Sequence, residues 1–93
     1  MTDYYTVDPC STSNAYEIKF TKKFNLKKAS VALSQIGEII AETPVVMVVK
    51  LNDVSMSVYS TGRIMLTRVN KKKTGQMAEK IHLLFQKFDC YED

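Results

Sequence analysis

The sequence predicts an α+β domain: an antiparallel sheet of four to five strands with two helices on one face, in the order strand, helix, three strands, helix. Three observations predict it. Residues 57–67 read Ser-Val-Tyr-Ser-Thr-Gly-Arg-Ile-Met-Leu-Thr, two alternating runs around a glycine-containing turn. Three strand-like runs follow one another between residues 44 and 69 with no helical pattern between them. Apolar residues recur at three- and four-residue spacing in the two segments that flank those runs.

Residues 1–14 are polar, with Asp8-Pro9 and Ser11-Thr12-Ser13-Asn14, and read as a flexible N-terminal arm; residues 15–93 form the single domain. Tyr16, Ile18 and Phe20 alternate with Glu17, Lys19 and Thr21, the pattern of a half-buried first strand. Asn25 then caps a helix over about residues 26–40, in which Leu26, Ala29, Leu33, Ile36 and Ile40 share one face, and Thr43-Pro44 ends it. The second strand covers residues 44–51, and Asn52-Asp53 turns the chain into the third, residues 54–59. If Ser60, Thr61 and Gly62 form a three-residue loop with Gly62 left-handed, Val58 pairs with Ile64 and Met56 with Leu66. A two-residue loop would set Tyr59 opposite Ile64 and scramble polar and apolar on both faces. The last strand takes residues 63–69, residues 70–74 make a lysine-bearing loop, and Met77, Ile81, Leu84, Phe85 and Phe88 stripe a final helix.

This parity bears on function. Val45, Met47, Val49, Met56 and Val58 fall on one face, while Val46, Val48, Lys50, Ser57, Tyr59, Arg63, Met65 and Thr67 fall on the other with Lys19 of the first strand. Helices on one side cover one face. A sheet apolar on both sides leaves the second face open to a partner.

The formal net charge is +3, unevenly spread: residues 15–88 hold all 13 basic residues against five acidic ones. A basic body suits a polyanion, and Lys71, Lys72 and Lys73 add to it. No Ser/His/acid set and no glycine-rich phosphate loop appears, so an enzyme is not expected. His82 has no ligand partner in register, and Cys10 and Cys90 lie near opposite ends outside any Cys-x-x-Cys pair, so free thiols and no metal or cofactor are expected. With no apolar run of about 18 residues and no secretory core, a cytoplasmic protein without membrane contact is expected.

The run Tyr59-Ser60-Thr61-Gly62-Arg63-Ile64-Met65-Leu66-Thr67, the helix entry Phe24-Asn25-Leu26-Lys27 and the order of elements together resemble one half of the TATA-binding protein over residues 15–88. Arg68 stands where that family has glycine. The resemblance implies a domain that binds the DNA minor groove with its helix-free sheet face, Tyr59 wedging between base steps, Met65 and Thr67 at base edges and Arg63 on phosphate. Val46 and Val48 would line the groove. It also implies a homodimer joined along the first strands, because the family carries two such halves. The expected function is therefore nucleic-acid binding, with DNA and transcription as its setting and with Ser57, Lys19, Lys50 and Lys71–Lys73 completing the surface. The alternative is a protein-interaction or homo-oligomerisation domain using the same face.

Overall fold

The computed structural model describes residues 5–9, 15–51 and 53–92. Strands β1 (Tyr5–Pro9), β2 (Ala15–Phe20) and the short β3 (Lys23–Phe24) lead into helix α1 (Leu26–Leu33). Strands β4 (Glu38–Glu42), β5 (Val46–Leu51), β6 (Val54–Tyr59) and β7 (Arg63–Thr67) follow, then helix α2 (Lys71–Lys87) and the short β8 (Tyr91–Glu92). The class is α+β. Six strands, rather than four to five, make one antiparallel sheet in the order β1-β2-β7-β6-β5-β4, and β3 pairs with β8 apart from it.

The hairpin takes the register that its alternation demands. Tyr59 faces Arg63, Val58 faces Ile64 and Met56 faces Leu66 across a three-residue loop, with Gly62 at a φ of 103°. Leu51 pairs with Val54, as a two-residue connection requires. Ile18, Met47, Val49, Met56, Val58, Ile64 and Leu66 thereby share one fully buried face. On that side α1 packs against β4 and β5, and α2 against β1 and β2. Both helices begin on an asparagine cap: the Asn25 side chain accepts from the Lys28 N–H, and that of Asn70 from the Lys73 N–H at 2.7 Å.

Four segments depart from the sequence expectation. The first helix stops at Leu33 instead of continuing to Ile40, and Glu38–Glu42 joins the sheet beside β5. Gly37 permits the change of direction: its N–H bonds the Leu33 carbonyl, and a Cβ there would lie 2.7 Å from the Lys50 carbonyl oxygen and 2.2 Å from Leu51 Cδ2. Ile40 falls at a register shift and is 55% exposed, while Ile39 packs on the core. Val45 is exposed rather than buried, because the Thr43 hydroxyl accepts from the Val45 and Val46 N–H groups and holds the chain in a turn before β5. Lys71, Lys72 and Lys73, expected in a loop, form the first turn of α2.

The fourth departure is at the N-terminus. Within the expected arm, Tyr5–Pro9 is a strand that pairs along β2, with Val7 opposite Ile18 and Tyr5 opposite Phe20. The Tyr5 hydroxyl donates to Glu79 Oε2 of α2 at 2.7 Å, tying the strand to the helix layer. The edge of β2 that a dimer seam along the first strands would use is therefore occupied by β1. Such a seam would require β1 to leave.

Aromatic rings fill the space between β2, β3, β8 and α2. The Phe24 ring centroid lies 5.1 Å from Phe20, 5.0 Å from Phe85 and 5.9 Å from Tyr91. His82 is buried beside them, its Nδ1 sharing a 2.6 Å hydrogen bond with the Tyr91 hydroxyl. Cys90 closes α2: its N–H reaches the Phe85 carbonyl and the Asp89 N–H the Gln86 carbonyl, with Asp89 at a φ of 55°, a Schellman closure. Its side chain is a buried free thiol, and Cys10 lies outside the described residues.

Burial raises the Cys90 thiol to about 11, the nearby Lys28 charge opposing the shift and Asp89 adding to it. Burial also pushes Tyr5 up to about 12, helped by its hydrogen bond to Glu79 and the charge of that carboxylate, and raises Tyr91. Each group is neutral in the fold and ionises more easily in the unfolded chain. Their stabilising contribution is thus complete below pH 9 and is lost as pH rises, from 9 through about 11 for Cys90 and from 10 through about 12 for Tyr5. Urea midpoints are expected to hold level from pH 7 to 9 and fall steeply above it; a level midpoint at pH 11 would contradict this burial.

Arg68 follows β7 at a φ of 63°, a left-handed position that disfavours side chains with a Cβ. Relief of that strain, of about 1–2 kcal/mol, exceeds the added chain entropy of glycine, about 0.5–1 kcal/mol. Arg68→Gly is accordingly expected to stabilise the protein by about 0.5–1 kcal/mol in urea unfolding, and a loss of stability would contradict the conformation.

Candidate nucleic-acid interface

The helix-free face is built by strand parity alone. Three rows run across the sheet, each set by the pairing registers. Asp8, Glu17, Met65, Ser57, Val48 and Ala41 form the central row, flanked by Thr6, Lys19, Arg63, Tyr59 and Val46 on one side. Ala15, Thr67, Ser55, Lys50 and Glu38 make up the third. Nine of the residues expected in the site, Lys19, Val46, Val48, Lys50, Ser57, Tyr59, Arg63, Met65 and Thr67, are therefore together on this face. Val46, Val48, Ser57, Tyr59 and Met65 are half-buried, and the other four are exposed.

The charges of this face cancel. Lys19, Lys50 and Arg63 are matched by Asp8, Glu17 and Glu38, and Glu38 sits opposite Lys50 across β4 and β5. Arg63 is also committed: its Nε donates to Glu17 Oε2 at 2.7 Å and its Nη2 donates to the same oxygen. Its guanidinium lies 6.0 Å from the Tyr59 ring centroid, and Lys19 Nζ is 3.7 Å from Glu17 Oε1. The Glu17 side chain is only 13% exposed. To contact phosphate, Arg63 would have to give up both hydrogen bonds to a carboxylate that is only slightly exposed, leaving it the longer Lys19 contact alone. The carboxylate would in addition repel the phosphate.

Lys71, Lys72 and Lys73 are not on this face. They open α2 on the other side of the sheet, where Lys71 and Lys72 border a shallow hollow with Tyr5, Gln76 and Glu79. Sequence reasoning missed what accompanies them. Lys73, Lys80 and Lys87 recur at seven-residue intervals, which on an α-helix puts them about 10 Å apart along nearly the same line. All three are exposed, with Lys72, Gln76 and the 56%-exposed Leu83 on the same side of the helix. On α1, Lys27 and Lys28 flank the exposed Val31. The seven-residue recurrence was available in the sequence.

The first turn of α2 contains no acidic residue. Three lysines there sit at the positive end of the helix dipole, an unfavourable placement worth about 0.3–1 kcal/mol per charge at an exposed surface. Among the described residues, no group of three or more His, Cys, Asp or Glu side chains is arranged to hold a metal ion, and no helix is long and apolar enough to cross a membrane. No family model, curated protein or solved structure matches the chain.

Proposed function

We propose that the chain is a non-catalytic nucleic-acid-binding module that meets the phosphate backbone with its helix layer rather than with the open sheet face. One observation carries the reading: the charge is segregated. Among the described residues the sheet face balances three bases with three acids, whereas α1 and α2 carry Lys27, Lys28, Lys71, Lys72, Lys73, Lys80 and Lys87 and one acid, Glu79, with Glu42 and Asp89 beside α1. Among the described residues, the Lys28–Asp89 pair at 3.4 Å is the single ion pair made by those seven lysines. Glu79 accepts the Tyr5 hydroxyl instead. Contacts of this kind are electrostatic and indifferent to sequence, and their affinity falls with salt as counterions are released. The balanced sheet face is left for protein contact.

The test uses the three lysines that open α2. Replacing Lys71, Lys72 and Lys73 with glutamine is expected to reduce the slope of log K against log salt for unrelated duplexes by about 2–3, at about 0.9 per phosphate contact. The same variant is expected to be more stable by about 1 kcal/mol, because it removes charge from the positive end of the helix dipole. Weaker binding by a more stable protein separates a contact role from damage to the fold. Fluorescence anisotropy at three salt concentrations and urea unfolding measure the two quantities. An unchanged slope, or no binding by the parent chain at low salt, would contradict the reading.

A further inference from the structure

We infer that the cavity between α2, the residues after α1 and the adjoining ends of β5 and β6 binds a small carboxylate with an apolar body. Its volume is about 170 Å³, and its walls are Ile36, Leu51, Val54, Met77 and Ile81. Val54 and Ile81 are fully or almost fully buried and form its inner wall, whereas Ile36 and Met77 are half-buried. Lys73 and Lys80 complete the lining. They lie two helical turns apart, bracketing Met77, with their exposed side chains on the solvent side of it.

The chemistry of the lining selects the ligand class. Among the described residues, no acidic side chain lines the cavity. Neither lysine makes an ion pair among the described residues, so both ammonium groups are available at the rim, and their methylene stems extend the apolar wall. Lysine acts toward an anion as a compact charge on a flexible stem, so two of them can converge on one carboxylate without a preformed fork. The cavity is well below the usual ligand pocket of about 300–1,000 Å³, too small for a nucleotide and suited to a short chain. A chain of five or six carbons with its carboxylate at the mouth meets these constraints. A bare anion leaves the inner wall uncovered, and a neutral chain leaves both lysines without a partner. Because Lys73 and Lys80 also belong to the exposed stripe of α2, occupancy would withdraw charge from the helix layer.

Titration of the full chain with hexanoate, followed by amide and methyl NMR shifts, tests the inference without any nucleic acid. Saturable shifts confined to Ile36, Leu51, Val54, Met77, Ile81 and their neighbours are expected, with acetate giving none at equal concentration. The Lys73→Gln/Lys80→Gln double variant is expected to bind hexanoate at least about tenfold more weakly while its affinity for hexan-1-ol is unchanged. Both lysines are exposed and make no ion pair among the described residues, and the unshifted amide spectrum of the variant away from α2 reports that its fold is intact. Absence of saturation, shifts centred elsewhere, or equal hexanoate affinity in the double variant would overturn the proposal.

Discussion

Phe24→Ala is expected to destabilise the protein by about 3–5 kcal/mol, a large part of the roughly 5–15 kcal/mol that holds a domain of this size together. Phe24 is 2% exposed and sits edge-on to both Phe20 and Phe85, so its ring joins β2 to α2. Its neighbours belong to three different elements. They cannot all move inward to fill the space that the ring leaves, and the cost therefore includes a cavity as well as lost burial. Phe24→Leu keeps most of the volume and is expected to cost under about 2 kcal/mol. Urea unfolding measures both, and equal losses for the two variants would contradict the packing described.

Gly62→Ala is expected to cost about 2–4 kcal/mol through strain instead of burial. Its φ of 103° is one that side chains with a Cβ rarely adopt, and this contributes about 1–2 kcal/mol. The rest comes from contact, because a Cβ at this position would lie 2.4 Å from the Lys22 carbonyl oxygen, a backbone atom that cannot swing aside. Relief would pull the loop from β2, breaking the 2.8 Å hydrogen bond from the Phe20 N–H to the Gly62 carbonyl. A second effect distinguishes this variant from one that merely loses packing. Tyr59 and Arg63 are paired across the loop, so amide shifts at both are expected to change together, and a loss below about 1 kcal/mol with unchanged shifts would contradict the loop geometry.

Gly62 was legible in the sequence because a wrong loop length inverts every side chain beyond it. The apolar alternation on each side of the turn therefore fixed Tyr59, Arg63, Met65, Val46 and Val48 on one face without reference to tertiary structure. The end of α1 was not legible in that way. Ile36 and Ile40 fit a helical period after Leu33, while Ile39-Ile40 is equally a β-branched strand pair, and a short apolar run does not separate the two. Gly37 decided it by allowing the backbone to pass close to Lys50 and Leu51.

Two further differences depended on contacts distant in sequence. Tyr5 and Val7 make too short an alternation to mark a strand, and their support comes from β2 and from Glu79 on α2. The Glu17–Arg63 contact follows only once β2 lies beside β7, which element order alone does not dictate. The lysine run that opens α2 reads as a loop for a local reason: Asn70 is a good cap, but a first turn with three cations and no acid is contrary to the usual helix start. This same anomaly is what the proposed phosphate contact accounts for.

The proposed contact through the helix layer and the contact expected of the open sheet face lie on opposite sides of the molecule. Amide shift mapping with a short unrelated duplex at low salt distinguishes them directly. Shifts are expected along Lys27–Val31 and at Lys71–Lys73, Lys80 and Lys87, with Val46, Val48, Tyr59 and Met65 unmoved. Shifts centred on those four sheet residues, with the lysine helices silent, would contradict the assignment.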